Sequence, residues 1–491
     1  MNLRLVAKYL GYFCMATGLF MIPAAIWALV YSEWHALVAF AASLGIAAGV
    51  MAALARVGKK AANTFTQREA LGLVSLSWFA VAAIGSLPYI ISGALWPVDA
   101  YFESMSGFTT TGSTVIQDIE AVPKSILFWR ALTQWLGGMG IVVLFIAVLP
   151  YLGAGGKQLF RSESPGPDPR GLSPRIRDTA SILYKIYLGM TGAMIAALSV
   201  AGVGFYDAVC HTLTTVSTAG FSTRQASVGA LDSAYVEVIM ILFMVCAATN
   251  FALFFSMIRG NRNSLYHDTE WRVFIGVLAA AIVLMTGNLM FGQHQGGQGS
   301  DGGYSLLPAL RAAAFQATSI MTTSGFVTDD FDVWPHFSRA LLFLLMFVGG
   351  CAGSTAGGIK ILRLIILAKI AYWRMEQTFR PKTVRAVRVS GQIIGDDIQR
   401  RVLTFLVLYL MWLGGGTLFM SALGLPLETA LSSVVATLNN IGPGLHLVGA
   451  SSDYSSIPAV GKLFLTLCMA LGRLEMFSVC VLFVPSFWKH S

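Results

Sequence analysis

The chain has 491 residues, of which 56% are hydrophobic and only 12% charged, and its mean hydropathy is +0.69. Soluble domains carry about 25% charged residues, so a string of soluble domains is excluded. The net charge of +9 does not point to nucleic acid, because the basic residues are confined to a few loops between long apolar runs.

The first run, Gly11–Tyr31, is too long for a signal peptide, lacks a clear small-residue cleavage site and is followed directly by a second, Ala36–Leu54. These predict a retained helical pair near Tyr9–Tyr31 and His35–Ala55. Further runs at Leu71–Leu95, Ile126–Leu152, Ala230–Met257, Ala340–Ala368 and Val402–Leu423 each supply the roughly 20 residues that a membrane helix needs. Six cysteines (Cys14, Cys210, Cys246, Cys351, Cys468, Cys480) lie in or beside apolar stretches, without the close pairs of metal or redox sites. They read as small buried hydrophobes.

Charge sets the orientation. Basic residues cluster at Arg56, Lys59, Lys60 and Arg68; at Lys157, Arg161, Arg170, Arg175 and Arg177; at Arg259, Arg262 and Arg272; and from Lys369 to Arg401. Acidic residues occupy the alternate loops, at Asp99, Glu103, Asp118 and Glu120, at Asp329, Asp330 and Asp332, and at Asp453. The positive-inside rule puts the basic loops, and with them both termini, in the cytoplasm.

Between the long runs lie four short segments that read as one motif: Thr109-Thr110-Thr111-Gly112, Ser217-Thr218-Ala219-Gly220, Thr322-Thr323-Ser324-Gly325 and Asn439-Asn440-Ile441-Gly442. Their glycines are 108, 105 and 117 residues apart, and Ala100, Ala208, Ala313 and Ala430 share the offset of minus twelve. Four copies in register imply a repeat architecture. Each unit is an outward helix, a short half-helix ending at the motif, and a return helix. The predicted elements are Leu71–Leu95, Asp99–Thr109 and Lys124–Leu152; Thr179–Val203, Tyr206–Val216 and Ala230–Ile258; Trp271–Phe291, Leu306–Met321 and Phe337–Ala368; and Arg401–Leu423, Leu427–Leu438 and Ile457–Pro485. The expected fold is an all-α polytopic membrane protein. It has about ten spanning and four re-entrant helices: an N-terminal pair (1–68) and four units in pseudo-fourfold arrangement (69–155, 156–260, 261–370 and 371–491, the last including a basic cytoplasmic loop).

The half-helices are too short to span, and all four glycine turns fall on the acidic, external side. Non-helical backbone at membrane depth must be buried in protein or line water, so the turns are expected to face a central path. Rings of backbone carbonyls replace the hydration shell of potassium in channels, and glycine permits the required backbone angles. No motif residue is charged. That suits a monovalent cation, whereas calcium or magnesium calls for carboxylates. The candidate cation-binding residues are Thr110, Thr111, Gly112, Thr218, Ala219, Gly220, Thr323, Ser324, Gly325, Asn440, Ile441 and Gly442.

Two return helices are interrupted. Unit three contains the run Gly349-Gly350-Cys351-Ala352-Gly353-Ser354-Thr355-Ala356-Gly357-Gly358-Ile359-Lys360. At roughly 1 kcal/mol per glycine against alanine, this run should break the helix in mid-membrane, and it is read as a gate beneath the turns. A close-packing glycine surface is the other reading. Unit four contains Gly472-Arg473-Leu474-Glu475. An intramembrane charge suggests function by default, so Arg473 is expected to place positive charge on the cation path. The other reading is a structural ion pair with an acid such as Glu475.

These residues resemble the TrkH/KtrB/HKT superfamily of potassium transporters over essentially the whole chain. The N-terminal pair and the overall length resemble TrkH more than KtrB. The resemblance implies potassium uptake across the bacterial inner membrane by a homodimer with one pore per protomer. It maps selectivity glycines to Gly112, Gly220, Gly325 and Gly442, a gating loop to about Gly350–Lys360 and a pore arginine to Arg473. Glycine at 112, where sodium-conducting members tend to carry serine, favours potassium. The resemblance also implies a cytosolic TrkA-like ring that binds NAD(H) or ATP/ADP, with the basic stretch Arg374–Arg401 as a docking surface. The chain itself has no Rossmann or P-loop signature and no expected cofactor besides the transported ion. A secondary transporter coupled to protons or sodium is the alternative. An enzyme is disfavoured: Thr323-Ser324-Gly325 is one of four aligned copies, HExxH is absent, and His211 and His336 have no nucleophile placed beside them by the sequence.

Overall fold

The computed structural model describes the chain apart from residues 60–65, 141–175, 293–303, 382–385 and 489–491. The second half of the unit-one return segment lies outside the described residues. So do Lys60, Lys157, Arg161, Arg170, Arg175, Lys382 and Arg385.

The N-terminal pair is α1 (Leu3–Leu19), which continues through a break at Phe20 and Met21 into α2 (Ile22–Val30), and α3 (Trp34–Val57). Unit one follows as α4 (Gln67–Ile91), α5 (Pro97–Phe108) and α6 (Lys124–Gly138). Unit two is α7 (Ile176–Val200), α8 (Phe205–Val216), α9 (Ala234–Ala247) and α10 (Phe251–Ile258). Unit three is α11 (Thr269–Phe291), α12 (Leu306–Met321), α13 (His336–Leu345) and α14 (Ile361–Phe379). A small hairpin, β1 (Arg388–Val389) with β2 (Gln392–Ile393), leads into unit four. That unit is α15 (Asp396–Ala422), α16 (Leu427–Leu438), α17 (Ala459–Arg473) and α18 (Glu475–Cys480).

Among the described residues, six helical stretches are long and apolar enough to span a membrane, with α1 and α2 counted as one. They are the N-terminal pair and the four outward helices; among the described residues no return segment joins them. The break in unit two corrects the single helix expected over Ala230–Ile258. There α9 and α10 meet at 92°, because Asn250 turns its side chain onto the Ala252 N–H at 2.9 Å and starts a new helix. In unit three the glycine run leaves 346–360 non-helical. In unit four the helix stops at Arg473, not at Pro485.

Local chemistry fixes several starts. Asp268 caps α11 by accepting from the Trp271 N–H at 2.8 Å. Proline stands at the first turn of α5 and at the N-cap of α16, where its missing N–H costs nothing. The N-terminal pair and unit four pack around unit one in the largest core cluster. That cover shows in α4: 67% of its most apolar stretch is buried, against 22–39% in the other five spans. The apolar side chains left exposed on the outward helices, such as Val283 and Leu418, are the expected lipid-facing surface.

Candidate functional site

The four short helices end in the same way. The first motif residue turns its side chain back onto the carbonyl four residues earlier: Thr109 to Met105 at 2.6 Å, Ser217 to Leu213 at 2.8 Å, Thr322 to Thr318 at 2.7 Å and Asn439 to Val435 at 2.9 Å. The next residue is left-handed in every copy, with φ of 55°, 54°, 57° and 53° at Thr110, Thr218, Thr323 and Asn440. The third donates its N–H to the carbonyl five residues back: Thr111 to Ser106, Ala219 to Thr214, Ser324 to Ser319 and Ile441 to Ala436, at 2.8–2.9 Å. This is a Schellman termination, whose left-handed position is usually glycine. Three threonines occupy it here although a β-branched residue disfavours φ > 0. Strain repeated at one register position signals a site that uses it.

The glycine then completes the turn with φ of 83°, 80°, 70° and 106° at Gly112, Gly220, Gly325 and Gly442. The four glycines close a ring. A Cβ on Gly112 would strike the carbonyl oxygen of Ala219, one on Gly220 that of Ser324, one on Gly325 that of Ile441, and one on Gly442 would lie 2.9 Å from that of Thr111. Each glycine therefore rests on the carbonyl before the next unit's glycine, one to two, two to three, three to four and four to one. The offset alanines Ala100, Ala208, Ala313 and Ala430, within the short helices, are all fully buried. All four glycines line one open mouth, together with Tyr454.

The ring is braced from behind by Gln134, Arg130, Tyr454 and Ser113, which the sequence reading did not single out, and by Glu103 and Asn440, which it named in other roles. Gln134 on α6 donates to the Ala219 carbonyl at 2.8 Å and accepts from the Phe221 N–H at 3.0 Å. Arg130 pairs with Glu103 at 2.6 Å, both essentially buried, and reaches the Ser222 carbonyl at 2.9 Å. Tyr454 and Ser113 hydroxyls both donate to the Gly442 carbonyl, at 2.9 and 3.0 Å. Asn440 donates to the Thr111 hydroxyl at 2.9 Å and the Met469 carbonyl at 3.0 Å. A signal was present for Arg130: it is a charge inside an apolar run, the same cue that marked Arg473. His211 does have a hydroxyl beside it, Ser222 Oγ at 3.0 Å from Nε2, while Nδ1 lies 2.8 Å from the Asp207 carbonyl. The pair secures the chain just after Gly220.

The 346–360 segment lies against the other side of the ring. The Gly357 N–H donates to Thr323 Oγ1 at 2.7 Å, and Thr355 Oγ1 donates to the carbonyls of Val216 and Ala247, at 3.2 and 3.0 Å. Cys351 N–H reaches the Ala248 carbonyl at 2.9 Å, and Phe251 N–H reaches the Gly353 carbonyl at 3.1 Å, so the segment is knitted into the bend of unit two. Gly353 and Gly358 are left-handed (φ 76° and 69°). Gly350, Cys351, Ala352, Gly353, Ser354, Thr355, Ala356, Gly357, Gly358 and Lys360 thus form one connected backbone, and the Lys360 ammonium folds back onto the Ala356 carbonyl.

Arg473 joins this assembly. Its guanidinium donates to the carbonyls of Thr355 at 2.8 Å, Gly137 at 2.6 Å and Gly138 at 2.7 Å. It therefore ties the return segments of units one, three and four together beneath the ring. The side chain of Glu475, the sequence's candidate partner for it, lies outside the described residues.

The profile of the TrkH family, described as a cation transport protein, matches residues 41–490. The chain belongs to the TrkH family. Among relatives of this TrkH-family chain, the Trk system potassium uptake protein TrkH of Halomonas elongata is 39% identical, and its namesake in Escherichia coli 37%, each alignment covering 100% of both chains. The crystal structure of the potassium transporter TrkH from Vibrio parahaemolyticus is similar in fold, with a TM-score of 0.86 and 33% identity over 100% of both chains.

Proposed function

We propose that this chain takes up potassium across the bacterial inner membrane through the ring of four glycine turns. The observation that carries this reading is the cyclic seating of Gly112, Gly220, Gly325 and Gly442 on the carbonyls of Ala219, Ser324, Ile441 and Thr111. An uncharged, carbonyl-rich constriction replaces the hydration shell of a weakly hydrated cation. Thr110, Thr111, Thr218, Ala219, Thr323, Ser324, Asn440 and Ile441 supply the remaining backbone. The names of the relatives, Trk system potassium uptake proteins, support potassium as the ion.

In this reading the four units are the segments 69–155, 156–260, 261–370 and 371–491, and the loop Gly350–Lys360, within the 346–360 segment, is the gate. Arg473 adds positive charge on the cation path below the ring. Opening is controlled by a cytosolic TrkA-like ring that carries NAD(H) or ATP/ADP and docks on the basic stretch Arg374–Arg401. The chain works as a homodimer, with both termini cytoplasmic.

The test is rubidium against sodium uptake into liposomes containing the purified protein, with and without an imposed proton gradient. Rubidium uptake well above sodium uptake, unaltered by the proton gradient, is expected. Equal uptake of the two ions would remove the potassium assignment, and dependence on the gradient would replace the channel-like reading by a coupled carrier.

A further inference from the structure

Between its buried ends at Met346 and Ile359, the 346–360 segment consists of small residues over 349–358, so few side chains there anchor it. Its position rests on hydrogen bonds from its backbone. One of these and one from the helix that follows converge on one buried oxygen. Glu270, the second residue of α11, accepts from the Ala352 N–H at 2.7 Å and from the Leu362 N–H at 3.0 Å, both on Oε1. Glu270 is only 6% exposed. One carboxylate thereby fastens the early part of the segment to the helix that follows it. The Gly349 N–H closes the base by donating to the Ile359 carbonyl at 3.0 Å. Two N–H donors sharing one buried oxygen leave no solvent to replace it if it moves.

The residues just before Glu270 face the other way. The Thr269 N–H donates to Ser390 Oγ at 3.2 Å, and that hydroxyl lies 3.3 Å from an Asp268 carboxylate oxygen. Ser390 and Gly391 form the two-residue turn of the β1–β2 hairpin, both with positive φ (47° and 77°), as a tight hairpin turn requires. The hairpin is itself anchored: Val387 and Val389 are buried, and Lys369 donates to the Arg388 carbonyl at 2.5 Å. Its turn, Ser390 and Gly391, is exposed. A continuous path therefore runs from an exposed hairpin within the basic stretch to the start of α11. One residue further along that helix, it reaches the backbone beneath the ring.

We propose that Glu270 is a positioning residue that latches the 346–360 segment in the arrangement seen here, and that the hairpin acts on this latch through Asp268 and Thr269. This rests on the reading of the segment as the gate, and it names the route by which a cytosolic partner reaches it. A partner that pulls on the hairpin displaces the start of α11, and with it both N–H bonds held by Glu270.

The segment carries its own reporter. Cys351 is 1% exposed and becomes reactive only when the segment moves. The experiment measures methanethiosulfonate labelling of Cys351 by peptide mass spectrometry in the full-length protein, with all native cysteines kept, beside rubidium flux from the same preparation. Glu270→Ala should raise the Cys351 labelling rate about tenfold or more, the scale set by leaving buried N–H groups without an acceptor. Glu270→Gln, which keeps an acceptor oxygen, should rise less. Ser390→Ala should raise labelling by about threefold, the scale of one exposed neutral hydrogen bond. Wild-type labelling in folded Glu270→Ala overturns the latch. If that variant does not fold, wild-type labelling in Glu270→Gln overturns it instead. Wild-type labelling in Ser390→Ala removes the hairpin from the path. Faster labelling without faster rubidium flux leaves the latch standing and sinks the gate reading.

Discussion

Thr323 Oγ1 accepts a 2.7 Å hydrogen bond from the backbone N–H of Gly357. The acceptor belongs to a strained left-handed residue of the third glycine turn, and the donor to the broken segment beneath it. Ring and segment are therefore in direct contact inside one unit, and a change at either is felt at the other. Thr323→Val keeps the shape and removes the acceptor, leaving the Gly357 N–H buried and unsatisfied at a cost of about 1–3 kcal/mol. Thermal unfolding of the purified variant should drop accordingly, and basal rubidium flux should rise. Flux and stability both at wild-type levels would show that the contact couples nothing.

Gly220 cannot carry a side chain for two independent reasons. Its φ is 80°, and a Cβ would run into the Ser324 carbonyl oxygen. The backbone angle alone costs an alanine about 1–2 kcal/mol. Gly220→Ala should therefore deform the seat between units two and three and abolish the preference for rubidium over sodium. Gly112→Ser, which collides with the Ala219 carbonyl, should also reduce that preference. Unchanged ion ratios in both variants would remove the ring from selectivity.

The Glu103–Arg130 pair is buried at 0% and 2% side-chain exposure. Removing one partner from such a pair costs about 3–5 kcal/mol, whereas replacing both by apolar residues is often neutral or better. Glu103→Gln should destabilise the protein strongly, and Glu103→Leu combined with Arg130→Met should recover most of the loss. A double-mutant cycle by thermal unfolding measures the coupling. Additive effects would mean that the two side chains act separately on the turn of unit two.

Asp332 lies outside the spans, beside Arg339 at 3.8 Å, and accepts from the His446 N–H at 3.3 Å. Burial raises its pKa above the ordinary 3.8; Asp330 and Glu428 add to the shift, while the His446 N–H and Arg339 oppose it. The folded protein thus holds this proton more tightly than the unfolded chain. The stability it contributes is present in full below the unfolded value of 3.8 and is lost as the pH rises through the raised folded value. Asp332→Asn mimics the protonated form. It should be more stable than wild type at neutral pH, with the difference shrinking towards zero as the pH falls below about 4. Parallel melting curves across pH would show that Asp332 does not titrate differently on folding.

Much of the fold was legible because hydropathy and length report it directly. Two of the short helices, Leu306–Met321 and Leu427–Leu438, begin and end where the sequence places them, and the other two differ by one or two residues. The glycine run announced the break in unit three. The break in unit two was not visible in that way, since Ala230–Ile258 reads as one apolar helix and a single asparagine at 250 decides the bend. The braces were legible only in part. Arg130 carried an intramembrane-charge signal, but Gln134 and Tyr454 are ordinary polar residues until their partners are known.

By itself the sequence determined the membrane class and the four-unit repeat, because apolar runs and a motif recurring in register are local quantities. It also marked the four turns, because a Thr/Ser- or Asn-rich helix end followed by glycine is a local backbone preference. Only the tertiary structure decided that each glycine sits on the next unit's carbonyl, that Arg473 binds carbonyls of units one and three, and that Glu270 holds the segment below. Those relationships join residues from about 80 to more than 300 positions apart. They follow from how the four units close around one axis, which no local pattern encodes.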